Sequence, residues 1–176
     1  MPKWLNHYVM HKLEPPDTYC LSAAIGWLEL GSPKEARSEL AAVSAADREH
    51  PDVLEVRWLL AAEEKQWEEG LEVAQLLVQR APKRASGWLH RAYALRRVPG
   101  GSVAKAWEAL LPASEMFPKE ALIPYNLCCY ACQMRQLDSA RAWLKRAIAG
   151  AGKERIKRMA LQDEDLEPLR AEIQAL

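Results

Sequence analysis

Residues 51–84, PDVLEVRWLLAAEEKQWEEGLEVAQLLVQRAPKR, decide the fold of this chain. The stretch begins as a helix-forming run, turns after about 14 residues and then forms a second such run. Ala, Leu, Glu, Lys and Arg dominate it, as they do the whole chain, and this composition favours helix over sheet. A single helical hairpin cannot bury its apolar stripe alone. The stretch is therefore expected to stack against other hairpins.

The same pattern starts again at Asp17, Ala85 and Ala121, so the four starts are 34, 34 and 36 residues apart. Small residues recur in the second run of each block, at Ala36, Gly70, Ala106 and Ala140. Small side chains at a helix crossing let two backbones approach closely. The spacing predicts four repeats, at 17–50, 51–84, 85–120 and 121–154.

The repeats resemble those of the tetratricopeptide (TPR) family in length, in the columns of small and bulky residues and in the closing prolines Pro82 and Pro118. Trp58 departs from the family pattern because it fills a column for a small residue, and Pro112 falls inside a second helix, where it should kink that helix. The resemblance implies an all-α, right-handed superhelical solenoid of antiparallel helix hairpins with C-terminal capping helices.

Both ends lie outside the repeats. Residues 1–16 are interpreted as an N-terminal cap, or as a segment that contacts a partner or a membrane surface through Trp4, Leu5, Tyr8 and Val9. Residues 155–176 are expected to be capping helices. In the last of them, Asp163 or Asp165 begins a single amphipathic helix that continues to Leu176.

The TPR resemblance also implies a binding groove. In that family the first helix of each hairpin lines the concave face, so the groove is expected to bind an extended peptide or a helix of another protein. The positions that match are Leu21, Ile25, Leu28, Glu29, Glu55, Leu59, Glu63, Leu89, His90, Tyr93, Arg96, Arg97, Tyr125, Asn126, Cys129 and Gln133. They change along the chain from apolar, through acidic, to aromatic and basic.

Two motifs could carry chemistry. Cys129 and Cys132 form a C-x-x-C, but neither the βαβ context of redox motifs nor the second ligand pair of zinc sites is present, so core packing is the favoured interpretation. His7 and His11 have the spacing of metal ligands on a helix but lack a third ligand. We therefore expect no catalysis, no cofactor and no metal. An enzyme that uses the cysteines is the alternative.

Charge is balanced overall but divided along the chain. Residues 17–84 carry 13 acidic and 8 basic side chains, and residues 85–162 carry 5 acidic and 13 basic. The basic half leaves nucleic-acid binding as an alternative function. Its residues spread over different helix faces, so nucleic acid is not the expected partner. The residues are Arg91, Arg96, Arg97, Arg135, Arg141, Lys145 and Arg146. A monomer with weak head-to-tail self-association is expected, and the acidic tail at Asp163 to Glu167 is an alternative partner for the basic half.

No stretch has the length and apolar character of a membrane span, and the start lacks a signal peptide, which predicts a cytoplasmic protein. The expected function is that of a non-enzymatic scaffold or adaptor. In size and repeat type the chain resembles small bacterial kinesin light chain-like TPR proteins, a group associated with bacterial tubulin filaments. This resemblance implies a cytoskeletal filament as the partner; an adaptor that links to a membrane through residues 1–16 is a further alternative.

Overall fold

The computed structural model describes residues 11–176, and this part of the chain is helical throughout, without a strand. The expectations for Trp4, Leu5, Tyr8, Val9 and His7 lie outside the described residues. No helix in the described part is both long enough and apolar enough to cross a bilayer.

Eleven α-helices and one 3-10 helix follow one another in the described residues. They are α1 (Asp17–Glu29), α2 (Pro33–Ala42), α3 (Pro51–Glu63), α4 (Trp67–Arg80), α5 (Ala85–Leu95), α6 (Val103–Leu110), α7 (Ala113–Met116), α8 (Leu122–Gln133), α9 (Leu137–Ala151), α10 (Lys153–Leu161), the 3-10 helix Glu164–Leu169 and α11 (Arg170–Gln174). The hairpin pairs are α1 with α2, α3 with α4, α5 with α6, and α8 with α9. The all-α fold of helical hairpins is thus confirmed.

Three of the hairpin turns have the same backbone conformation. Gly31, Lys65 and Arg135 have φ angles of 70°, 57° and 62°, in the left-handed region. The next residue then donates its N–H five residues back, as Gln66 does to the Ala61 carbonyl at 2.8 Å. This Schellman arrangement satisfies carbonyls at the end of the first helix and reverses the chain.

The chain divides into two compact units, and the first ends at Pro82. Its interior consists of one apolar cluster around Ala24, Leu40 and Val53 and another around Leu54 and Leu77. The out-of-pattern Trp58 belongs to the second cluster and is buried. Its indole lies against Gly70, where a methyl group would already be in van der Waals contact at 3.7 Å. At this helix crossing the large side chain of Trp58 therefore packs against the smallest residue, Gly70.

The second unit begins at Lys83 and has one continuous apolar core, centred on α8. Leu110 of α6, Leu127 of α8 and Ile156 of α10 are among its fully buried side chains. Trp107 and Trp143 meet edge to face, with ring centroids 5.9 Å apart. This unit also contains the C-terminal elements, which pack on α8, α9 and α10.

Two elements differ from their predicted form. Pro112 does more than kink its helix: α6 ends at Leu110 and α7 starts at Ala113, because proline lacks the N–H that would continue the ladder. The predicted single helix from Asp163 or Asp165 to Leu176 is wrong. Asp163 instead caps the 3-10 helix by accepting from the Asp165 N–H at 3.0 Å, and a short α11 follows.

Candidate functional site

The first helices of the hairpins carry the sixteen positions expected to bind a partner. In the first unit these helices are α1 and α3, which contact one another. Ile25 and Leu59 occupy equivalent positions on the two helices, 34 residues apart, and expose 40% and 47% of their surface. Leu21 and Leu28 beside them are half-buried. The first unit therefore presents apolar side chains to solvent on the first helix of each hairpin, α1 and α3.

Acidic residues accompany this apolar surface. Glu29 ends α1 and Glu63 ends α3, again at equivalent positions, and both are exposed. Glu55, in the first half of α3, is half-buried. The exposed apolar side chains of α1 and α3 are therefore accompanied by negative charge.

In the second unit, α5 carries an aromatic and basic surface. The guanidinium carbon of Arg97 lies 3.4 Å from the centroid of the Tyr93 ring, and Arg97 donates to the Tyr93 carbonyl at 2.9 Å. Burial lowers the pKa of Arg97 from its ordinary value. Leu89 and His90 on the same helix are half-buried.

The face of α8 that carries Tyr125 and Cys129 is covered by the chain's own C-terminal segment. Tyr125 and Cys129 expose only 6% and 3% of their surface. Asp163, at the start of that segment, accepts a hydrogen bond from the Tyr125 hydroxyl at 2.9 Å and one from the Cys129 thiol at 3.4 Å. A partner can therefore reach these two positions only if the segment moves away.

Arg96 makes a bidentate polar contact with this segment. Its two terminal nitrogens donate to the two carboxylate oxygens of Asp165, at 2.5 and 3.2 Å, and this pairing raises the pKa of Arg96. The Arg96 guanidinium also lies 5.6 Å from the centroid of the Tyr130 ring. A bidentate arginine–carboxylate pair is specific in geometry as well as in charge.

The remaining two positions of α8 differ from these. Asn126 donates to the Leu122 carbonyl of its own helix at 2.8 Å, and Gln133 at the end of the helix is exposed. The residues that sequence reasoning missed are Asp163 and Asp165. The available signal is their negative charge, which follows a basic stretch of the chain. This signal indicates only that they screen the positive charge, and it does not place them on α8.

Cys129, Asp163 and Asp165 bring three potential metal-ligand atoms within 4.8 Å of one another. Their chemistry fits a hydrogen-bond network better than a metal site. The Cys129 thiol donates to Asp163, and Asp165 already pairs with Arg96, so all three groups have partners within the protein.

The other two cysteines of α8 are also core residues. Cys128 and Cys132 are free thiols with 0% and 1% exposure, and the hydrogen bond between them, together with burial, raises the pKa of Cys128. Buried protonated thiols are poor nucleophiles. Of the histidine pair, His11 lies at 2.5 Å from Asp47, which engages its ring in an ion pair or hydrogen bond.

Several arginines of the basic half are used inside the second unit. Arg91 donates to the Ala109 carbonyl at 2.7 Å, Arg141 binds Glu172 at 2.7 Å, and Arg146 donates to the Ser114 carbonyl at 3.2 Å. These contacts direct the guanidinium groups to protein acceptors, which reduces the charge available for a phosphate backbone.

Comparison with solved structures supports the fold. This chain is similar to a thermophilic TPR protein from Thermus thermophilus, with a TM-score of 0.66, 18% sequence identity, and coverage of 91% of this chain and 100% of that one. No family model and no curated protein matches the sequence. The likeness establishes a TPR-type fold.

Proposed function

We propose that this protein is a non-enzymatic scaffold that binds a segment of another protein on the inner helices of its hairpins. The observation that carries the proposal is the pair of exposed apolar side chains, Ile25 and Leu59, at equivalent positions of two adjoining helices. Folding normally buries side chains of this size, and repeated exposure on one face is typical of a docking surface.

The chemistry of this face indicates its ligand. Apolar contacts with Ile25 and Leu59 would supply binding energy, and Glu29 and Glu63 would select a segment with lysine or arginine near its apolar residues. The sixteen positions named from the sequence remain the proposed contact set. Tyr125 and Cys129 belong to it only in a state in which the C-terminal segment has left α8.

The test compares three forms of the full chain in affinity capture with quantitative mass spectrometry. The double variant Ile25→Asp with Leu59→Asp should lose the partner that the wild type retains. The matched control is Tyr19→Asp with Leu30→Asp, which places the same two charges at side chains that are 69% and 74% exposed but lie outside the contact set. Equal capture by all three forms, with unchanged circular dichroism, would show that this face is not the binding site.

A narrower hypothesis makes the partner a bacterial tubulin-type filament. It rests on the resemblance in size and repeat type to the kinesin light chain-like proteins. Co-sedimentation with polymerised bacterial tubulin tests it, and the Ile25/Leu59 double variant should stay in the supernatant. If this variant binds the filament as well as the wild type does, the filament does not bind at the proposed face.

The nucleic-acid alternative has less support, because Arg91, Arg96, Arg141 and Arg146 all bind protein acceptors. Oligonucleotide binding with a steep dependence on salt concentration would favour it over the scaffold.

A further inference from the structure

We propose that the inner face of the second unit is a binding site for acidic, leucine-containing segments of a partner protein, with residues 163–169 of this chain as its resident, displaceable ligand. This deepens the proposed function, on which it rests: it names the ligand for the part of the contact set that lies in the second unit, at Arg96, Tyr125 and Cys129. It specifies a ligand of the opposite charge, and its tests give results that do not depend on binding at Ile25 and Leu59.

The polar half of the site consists of three donors from two helices. Arg96 at the end of α5 binds the Asp165 carboxylate with two hydrogen bonds, and Tyr125 and Cys129 of α8 both donate to one oxygen of Asp163. Charge-assisted bonds of this kind orient a ligand as well as hold it. The site therefore recognises two carboxylates that are two residues apart in an extended or 3-10 backbone.

The apolar half lies directly after the carboxylates. Leu166 and Leu169 of the resident segment are fully buried in the core cluster of the second unit. The spacing of three residues places both side chains on one side of a 3-10 helix. The recognised pattern is thus Asp-x-Asp-Leu-x-x-Leu, as found at residues 163–169.

A segment that served only as a cap would need an apolar face and nothing more. Here the covered surface is instead rich in hydrogen-bond donors. Beneath the segment, the Tyr130 hydroxyl is buried and has no hydrogen-bond partner among the described residues. The Arg96 guanidinium lies 5.6 Å from the centroid of the Tyr130 ring, which places this residue next to the pair between Arg96 and Asp165. The resident segment therefore leaves one donor of the site unused, and a ligand with a further acceptor there would bind better.

The backbone of the segment is suited to release. It is a 3-10 helix with Pro168 inside it, and such helices have poorer hydrogen-bond geometry than α-helices. Glu172, which binds Arg141, and the Gln174 carbonyl, which accepts from Lys157, tether the following residues. The tether would keep the released segment close to its site.

The test uses the full chain and a fluorescein-labelled peptide of residues 161–176, LQDEDLEPLRAEIQAL, followed by fluorescence anisotropy. In the wild type the resident segment competes with the peptide. The double variant Asp163→Asn with Asp165→Asn weakens the resident segment but leaves the site intact, so it should bind the peptide at least tenfold more tightly. The matched control, Glu164→Gln with Glu167→Gln, removes the same charge from exposed positions and should behave as the wild type.

Two further variants test the specificity. A peptide with both aspartates replaced by asparagine should not bind, and Arg96→Gln added to the double variant should abolish binding of the original peptide. If the double variant stays folded by circular dichroism yet binds no better than the control, the segment is a fixed cap and the proposal is wrong. A wild-type dimer that is insensitive to salt and exchanges its C-terminal segments would show that the ligand is a second copy of this chain. That result would also overturn the proposal.

A measurement on the wild type removes the dependence on variants that could unfold. Native alkylation with iodoacetamide, located by mass spectrometry, reports when each buried thiol becomes accessible. Opening of the segment alone exposes Cys129, so Cys129 should react at least tenfold faster than Cys128, and excess peptide should slow it. Equal rates at both cysteines would mean that the segment leaves only on global unfolding, which contradicts the proposal.

Discussion

At the scale of the residue, Gly31, Lys65 and Arg135 show how the same turn is built from different side chains. All three have positive φ angles at the end of a first helix. Glycine adopts this conformation freely, whereas a residue with a Cβ is strained by about 1–2 kcal/mol. The first hairpin therefore has the favourable residue, and the second and fourth do not.

Lys65→Gly and Arg135→Gly should each stabilise the protein by roughly 0.5–1 kcal/mol, because the relief of strain exceeds the added entropy of the unfolded chain. Urea unfolding measures this as a higher midpoint at constant slope. Gly31→Ala is the matched reverse change and should destabilise. A lower midpoint for both glycine variants would show that these side chains stabilise the turns by contacts of their own.

Asp17 supplies a pH-dependent contact in the first unit. Hydrogen bonds from the hydroxyl and the N–H of Ser44, the latter at 2.9 Å, lower the pKa of Asp17 below its ordinary value of 3.8. A carboxylate with a lowered folded pKa stabilises the protein above its unfolded pKa, and this stabilisation is lost as the pH falls through the folded pKa. The wild type should therefore exceed Asp17→Asn in stability at pH 6, and the difference should shrink below about pH 4. Chemical denaturation across this range measures the difference, and a constant value down to pH 2 would contradict the assignment.

At the scale of the element, the second helices begin in two ways. The Ser102 hydroxyl accepts from the Lys105 N–H at 3.1 Å and caps α6. Ser32 precedes α2, whose first residue is Pro33, but its side chain makes no capping hydrogen bond. Proline at the first position already removes one N–H that needs a partner.

Ser102→Ala should therefore cost about 1 kcal/mol, whereas Ser32→Ala should cost a few tenths at most. The two substitutions are chemically identical and differ only in the capping bond. Thermal or urea unfolding of both variants measures the difference. Equal destabilisation would mean that the hydroxyl bond to Lys105 contributes nothing to α6.

The break at Pro112 and the division of the C-terminal segment are also properties of elements. Pro112 separates α6 from α7, and Pro168 lies inside the 3-10 helix Glu164–Leu169, where it removes one backbone N–H. The second case has a consequence for the site, because the 3-10 backbone presents Asp163 and Asp165 to α8 and α5 while Leu166 and Leu169 enter the core.

At the scale of the whole molecule, the division of charge remains the main feature. The C-terminal segment returns acidic groups to the basic half, where Asp165 binds Arg96 and Glu172 binds Arg141. These pairs reduce the positive charge available for contacts between copies. Exposed ion pairs between copies would contribute less than about 1 kcal/mol each.

We therefore expect a monomer at micromolar concentration, with weak association that increases at low salt and high concentration. Sedimentation velocity at two ionic strengths measures this. A discrete dimer that is insensitive to salt would indicate an apolar interface instead of an electrostatic one.

The sequence by itself determined the local structure of this protein. The helical runs and the turn about 14 residues into each repeat follow from composition and apolar spacing, and these act over a few residues. Only the tertiary structure decided what covers α8. The bonds from Tyr125 and Cys129 to Asp163 and from Arg96 to Asp165 join residues 38, 34 and 69 apart. Such contacts depend on where the chain folds back, so no local pattern indicates them. For this reason the sequence does not show that α8 is covered whereas Ile25 and Leu59 on α1 and α3 are exposed.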